Sequence, residues 1–129
     1  MEKDFTGWLP VKQKIDAKPK RAIFFEREIW WCNLGINVGY EQDGKGVTAT
    51  RPVLILKKFN AKLFCGFALS TKLKEENPYY MKIIFAGAER SVLLHQMRTL
   101  DGKRLVSKIG TLSEGKFEKV KEKYREILF

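Results

Sequence analysis

GVTATRPVLILKKF, residues 46–59, carries the clearest strand signal of this chain. Four aliphatic residues, 53–56, stand between turn-forming residues and predict a buried β-strand. Proline is tolerated at the first position of a strand, where no ladder N–H is required, so the strand is predicted to begin at Pro52. Arg51 would then stand at the mouth of the strand and face the glycine-rich loop before it. There it could be a working cation or a solvated charge.

The flanking segments predict a small, mainly β domain. Residues 29–34 are strand-like, residues 35–50 form a long loop with four glycines, and further strands are predicted at 62–69, 79–85 and 91–96. Strands this short and closely spaced favour a strongly bent sheet or a small barrel.

Both ends of the chain have helical patterns. Residues 1–24 are predicted to be a basic appendage with a short helix, and residues 25–129 a single domain. Near the C-terminus, Ser113 is a suitable helix N-cap. The apolar stripe that follows at helical spacing consists of Phe117, Val120, Tyr124 and Ile127. We therefore predict a C-terminal helix that docks by this stripe.

The charge of the chain bounds its partners. Its 129 residues carry a formal net charge of +10, which favours polyanions. Nucleic acid is the first partner to consider and an anionic membrane the second. No apolar run approaches the roughly 20 residues of a spanning helix, so we expect no membrane insertion. The N-terminus also does not resemble a secretory signal.

The two cysteines, Cys32 and Cys65, lie on separate apolar segments without CxxC spacing. Buried free thiols in a reducing cytoplasm are the simplest interpretation. We therefore predict a cytoplasmic protein with neither a metal site nor a cofactor.

No familiar catalytic signature is present, and a single histidine excludes two-imidazole phosphodiester chemistry. Any metal-free cleavage of nucleic acid would therefore act on RNA, whose own 2′-hydroxyl is a positioned nucleophile. The protein would then need only to stabilise charge and to move protons.

Four segments, EIWWCNLGINVGYEQDGKG, RPVLILKKF, FALSTK and SVLLHQMRTLDGKRLVSKIGTL, resemble in order and spacing the MazF/PemK ribonuclease toxins of type II toxin–antitoxin modules. The resemblance covers about residues 25–129. It implies an α+β, mainly β fold, a small SH3-like barrel of the CcdB/PemK type with a C-terminal helix. It also implies a homodimer that cleaves single-stranded RNA, including mRNA, sequence-selectively and without metal, and that an acidic antitoxin inhibits. Stable DNA binding by the toxin alone is not expected.

The resemblance makes Arg51 and Ser70 the catalytic pair. The planar guanidinium fork of Arg51 suits two phosphate oxygens, and Ser70 would hydrogen-bond a third oxygen. Thr71 could replace Ser70, although strand alternation sends the two hydroxyls to opposite faces. His95 occupies the position of a general base in one branch of the family, and it is either that base or a structural residue.

Further positions are implied to contact RNA. They are Tyr40, Glu41, Gln42, Lys45, Thr71, Lys72, Gln96 and Arg98. Gln96 and Arg98 look like the Q-x-R pair of the family, which could instead tie the strand end to Asp101. Family members usually have glycine where this chain has Arg27, and the stretch between Gln42 and Arg51 is longer than usual.

Two alternatives remain open at this point. One is a gyrase-poisoning toxin of the same fold, acting through the apolar C-terminal residues REILF. The other is a non-catalytic RNA-binding barrel that stacks bases on Trp30, Trp31, Tyr79 and Tyr80. Because adjacent strand residues face opposite ways, at least one residue of each aromatic pair is expected to be core.

Overall fold

The computed structural model describes residues 21–35, 50–73 and 76–129, which form one antiparallel sheet and one helix. The strands are β1 (Glu28–Asn33), β2 (Thr50–Lys58), β3 (Leu63–Ser70), β4 (Tyr80–Phe85), β5 (Ala88–Asp101) and β6 (Leu105–Thr111). A 3-10 turn (Gly102–Arg104) joins β5 to β6, and helix α1 (Glu114–Leu128) ends the fold. The predicted N-terminal helix lies outside the described residues, as does most of the loop between β1 and β2.

The sheet curls until its two edge strands approach each other. The strand order is β4-β5-β3-β2-β1-β6. The ring of Phe85 on β4 packs against Gly110 on β6, where a Cβ atom would meet Phe85 Cζ at 2.7 Å. Glycine at this position therefore allows the close approach. The prediction of a mainly β, strongly bent fold with a C-terminal helix is confirmed.

The central strands are buried on both faces, which explains their continuous apolar runs. Helix α1 covers one face, where the core includes Leu54 and Phe67. The opposite face, here called the distal face, has its own core, which includes Val53 and Ala68. Because successive side chains alternate between faces, the face of every β2 and β3 residue follows from these four.

Helix α1 begins and packs as its sequence predicts. The Ser113 side-chain oxygen accepts a hydrogen bond from the Lys116 backbone N–H at 3.4 Å, as an N-cap does. Phe117 and Val120 are buried against the sheet, and the other two residues of the predicted stripe are partly buried.

Strand β2 begins earlier than predicted. Thr50 and Arg51 already pair with Asn33 and Cys32 of β1, so the predicted start at Pro52 is wrong. Pro52 lies opposite Trp31 of β1, and the pairing of β2 with β3 begins one residue later, at Val53, so the proline stands near the end of the ladder, where it is tolerated. Arg51 is consequently inside the strand rather than at its mouth.

Strands β5 and β6 also differ from the sequence-based expectation. Strand β5 extends over 14 residues, well beyond the predicted 91–96. Strand β6 was not predicted, because it is an edge strand whose side chains are mostly exposed and form no apolar run.

Arg27 shows why a glycine is usual before the first strand. Its φ of 76° lies in the left-handed region, which costs a residue with a Cβ atom roughly 1–2 kcal/mol. Its side chain offsets part of this cost, because Nε donates to the Leu112 carbonyl at 3.0 Å.

Cys32 and Cys65 are both buried free thiols, as predicted. Burial raises the pKa of the Cys65 thiol. Within the described ranges, no helix is long and apolar enough to cross a membrane.

Candidate active site

Arg51 is a buried residue of β2. Only 6% of its surface is exposed, and its Nη1 donates to the Leu69 carbonyl of β3 at 3.2 Å. The interpretation of Arg51 as a solvated strand-end charge is therefore wrong. A guanidinium removed from water is costly unless hydrogen bonds hold it, so its position is well defined.

Ser70, the last residue of β3, lies on the same face of the sheet as Arg51. Val53 pairs with Ala68 on the distal face, and continuing this antiparallel register by two residues brings Arg51 opposite Ser70. Ser70 is 8% exposed, and its hydroxyl oxygen accepts from the Lys72 backbone N–H at 3.1 Å.

The same line continues onto the next two strands. Ser70 pairs with Ser91 of β5, and Ser91 pairs with Lys82 of β4. Ser91 is buried and its hydroxyl donates to the Lys72 carbonyl at 2.7 Å, which fixes the chain directly after Ser70. We call the line formed by Arg51, Ser70, Ser91 and Lys82 the polar row.

Sequence reasoning missed Ser91 and Lys82. A serine that opens an apolar run was the available signal for Ser91. Lys82 has no local signal, because its place depends on the register of β4 with β5.

A cavity of about 300 Å³ adjoins Arg51 at the ends of β1, β2 and β3. It is lined by Trp31, Thr50, Arg51, Pro52, Leu69, Thr71 and Arg90. Trp31 is 41% exposed whereas Trp30 is 7% exposed, so the prediction that one of this pair is core is confirmed. Arg51 thus borders Thr71 in the cavity as well as Ser70 in the polar row, and Arg90 is a second cation that sequence reasoning missed.

His95 is exposed on β5 and packs on two tyrosines. Its ring centroid lies 5.7 Å from that of Tyr79 and 5.3 Å from that of Tyr80. The Gln96 side-chain nitrogen is 3.3 Å from His95 Nε2. The structure therefore joins His95 to Gln96 and the tyrosines.

Arg98 and Asp101 have partners elsewhere. Arg98 Nη1 donates to the Leu34 carbonyl at 3.4 Å. The Asp101 carboxylate accepts two hydrogen bonds from Arg21, at 2.8 and 2.9 Å, which lower its pKa to about 2.

The remaining predicted RNA contacts divide into two sets. Lys72 and Thr71 are exposed directly after β3. Tyr40, Glu41, Gln42 and Lys45 lie outside the described residues. Among the residues that the structure describes, no cluster of three or more His, Cys, Asp or Glu side chains could hold a metal ion.

Comparison with known proteins identifies the family. The model of the PemK-like, MazF-like toxins of type II toxin–antitoxin systems matches residues 26–128 of the 129-residue chain. The chain belongs to this toxin family. The resemblance seen in its four sequence segments is thereby confirmed.

Solved structures agree with the fold of this toxin. MazF (Form-I) from Deinococcus radiodurans is similar with a TM-score of 0.67 and 20% identity, covering 83% of this chain and 97% of that one. An endoribonuclease in complex with its cognate antitoxin from a mycobacterial species has a TM-score of 0.61 and 14% identity, covering 81% and 94%. At these identities the likeness shows a MazF-like fold. No curated protein sequence matches the toxin.

Proposed function

We propose that the toxin is a metal-independent endoribonuclease that cleaves single-stranded RNA at selected sequences. The observation that carries this proposal is the buried guanidinium of Arg51, held by the Leu69 carbonyl on the same face as Ser70. Two comparisons support the proposal: the chain belongs to the MazF-like toxin family, and the similar mycobacterial structure is that of an endoribonuclease. A fixed cation beside a hydroxyl is suited to a phosphate whose negative charge grows in the transition state.

The reaction needs the RNA to supply its own nucleophile. The 2′-oxygen forms a bond to the adjacent phosphorus and loses its proton, while the bond from phosphorus to the 5′-oxygen breaks and that oxygen gains a proton. The products are a 2′,3′-cyclic phosphate and a 5′-hydroxyl. The protein contributes position and charge, which is sufficient because the nucleophile is intramolecular.

In this scheme Arg51 neutralises the charge on the phosphate and Ser70 donates a hydrogen bond to a non-bridging oxygen. The Ser70 oxygen accepts from the Lys72 N–H, and this bond leaves the Ser70 O–H for donation to a phosphate oxygen. Thr71 is the alternative hydroxyl, on the cavity side of Arg51. Ser70→Ala and Thr71→Ala, compared in the same cleavage assay, assign the role.

His95 as general base stays a prediction. It follows Ser91 by four residues, which places it up to about 13 Å along β5 at roughly 3.3 Å per residue. Direct proton transfer requires a separation of about 3 Å, so RNA would have to bring its 2′-hydroxyl to the ring.

The partner of the toxin is proposed to be an acidic antitoxin, which would bind a toxin homodimer in the cytoplasm. A net charge of +10 would steer an acidic peptide to the toxin, and the mycobacterial neighbour forms a complex with its antitoxin. Light scattering with and without the protein encoded beside the toxin, across a salt series, tests this. If the toxin keeps the mass of a monomer in the presence of that protein at every salt concentration, the proposed partnership is excluded.

Incubation with labelled single-stranded RNA in EDTA, followed by mapping of the ends, tests the activity. We expect cuts at a small set of sequences, and a substrate with 2′-deoxyribose at the cut should survive. Cleavage of the deoxy substrate would refute the 2′-hydroxyl mechanism. Binding of RNA without any cleavage would favour the passive RNA-binding alternative, and inhibition of gyrase without cleavage would favour the gyrase poison.

A further inference from the structure

Three aromatic rings, two of them exposed and that of Tyr80 partly buried, form a cluster at the start of β4 and the middle of β5. His95 packs on Tyr79 and Tyr80 with interplanar angles of 41° and 38°. Tyr79 is 46% exposed and His95 is also exposed. We call these three residues the aromatic platform.

The platform belongs to neither of the two buried cores. On β5 the neighbouring Leu94 is buried in the helix-side core, and on β4 Met81 packs against the same core. Alternation therefore directs Tyr80 to the distal face, and His95 lies beside it because the two rings are in contact. Tyr79 and His95 present exposed ring surface to a ligand, whereas Tyr80 is partly buried.

The platform adjoins the polar row on the distal face. Lys82 pairs with Ser91 in the row, and Tyr80 precedes Lys82 by two residues on β4, roughly 7 Å along the strand. The two sites are therefore a few nucleotides apart for an RNA strand that advances about 3.4 Å per stacked nucleotide.

We infer that the aromatic platform binds an unpaired nucleobase of the RNA substrate by stacking, close to the scissile phosphate. Bases of single-stranded RNA stack on exposed aromatic side chains, and this contact does not require a particular base. Gln96, whose amide nitrogen contacts His95, is at the rim and can hydrogen-bond the edge of the stacked base. This inference rests on the proposed RNA substrate and makes the platform part of its binding site.

The single histidine of the chain provides a direct probe. The His95 ring gives the only histidine signals in a proton–carbon NMR spectrum, so they need no assignment. The titrant is single-stranded RNA with 2′-fluoro sugars throughout, which lacks the attacking hydroxyl. We expect the His95 ring signals to move upfield as a base stacks, and inorganic phosphate at the same ionic strength to leave them in place.

Substitution tests the platform by an independent route. Tyr79→Leu and Tyr80→Leu are each expected to raise KM for RNA by about 5- to 100-fold, with kcat little changed, because stacking binds substrate and transition state alike. Phe59→Leu is the matched control, since Phe59 is an exposed aromatic residue after the far end of β2, 54% exposed. It should keep the KM of the unsubstituted toxin.

The outcomes separate this inference from the proposed activity. If the toxin cleaves RNA but both tyrosine variants keep its KM and RNA leaves the His95 signals unmoved, the platform does not bind RNA. If the variants lose antitoxin binding while keeping KM for RNA, the platform serves the protein partner and the inference is also overturned. If no RNA is cleaved but the His95 signals still move with RNA, the activity fails and base stacking stands.

Discussion

Arg51→Ala should damage folding and cleavage to very different extents. The substitution removes the hydrogen bond to the Leu69 carbonyl and leaves that acceptor without its donor in a buried place. An unsatisfied buried polar group costs about 1–3 kcal/mol. For a domain of this size, a loss of that order lowers Tm by roughly 4–12 °C. The variant should therefore remain folded at room temperature but melt earlier.

The loss of cleavage should be much larger. Removing one group that stabilises transition-state charge typically lowers kcat by about 10²–10³-fold. Arg51→Lys should also be impaired, because an ammonium keeps the charge but cannot form the planar two-point contact. Arg125→Ala removes the same charge from an exposed site on α1 and serves as the matched control, with Tm and cleavage unchanged.

The measurements are thermal denaturation by circular dichroism and end-mapped cleavage of one RNA well below the lowest Tm. Folded Arg51→Ala that cleaves within about tenfold of the unsubstituted toxin would refute the catalytic role of Arg51. An unchanged Tm would refute the energetic value given to its buried hydrogen bond.

The other predictions concern strain, pH and proton transfer. Arg27→Gly should be more stable than Arg27→Ala by about 1 kcal/mol in urea denaturation, because only glycine relieves the φ of 76°. Ala86, with φ of 53°, precedes a glycine with φ of 75° in a turn that prefers Asn-Gly. Ala86→Asn should therefore raise the free energy of unfolding by about 0.5–1 kcal/mol, which a higher urea midpoint would show. Arg21 holds the pKa of Asp101 at about 2, so this carboxylate stabilises the fold above its unfolded pKa of about 4, and the contribution is lost as pH falls from about 4 to 2. Urea midpoints across that range should fall less steeply in Asp101→Asn. His95→Phe keeps an aromatic ring but cannot take a proton. If His95 acts by stacking, we expect retained cleavage with an unchanged pH–rate profile. Loss of activity would instead support His95 as the general base.

The parts of the fold that sequence predicted are those with local signals. The aliphatic run at 53–56 marks β2, and the Ser113 cap with its apolar stripe marks α1. Strand β6 was not predicted, because an edge strand needs few apolar residues and so has no clear hydrophobic pattern. Its identity depends on pairing with β1, which no local pattern encodes.

For the candidate site, the sequence could single out residue types but could not predict their environment. The RPVL pattern singled out Arg51, yet its burial depends on Cys32 and Leu69, which come from two other strands. Likewise Tyr79 and His95 are distant in sequence, and only the pairing of β4 with β5 brings their rings together. Strand register, rather than composition, therefore determines which polar residues can act together.

The two-sided core of the sheet also explains how the toxin can hold a buried cation. Taking a guanidinium out of water costs several kcal/mol, and hydrogen bonds repay this only when their geometry is good. The central strands are buried on both faces, and they fix the Leu69 carbonyl that receives the Arg51 donor. A charge fixed in this way needs little reorganisation when a phosphate arrives, and such preorganisation is the main source of electrostatic catalysis. Under the proposed mechanism, Arg51 is therefore costly to bury and, because it is held in place, well suited to stabilise the charge of the phosphate.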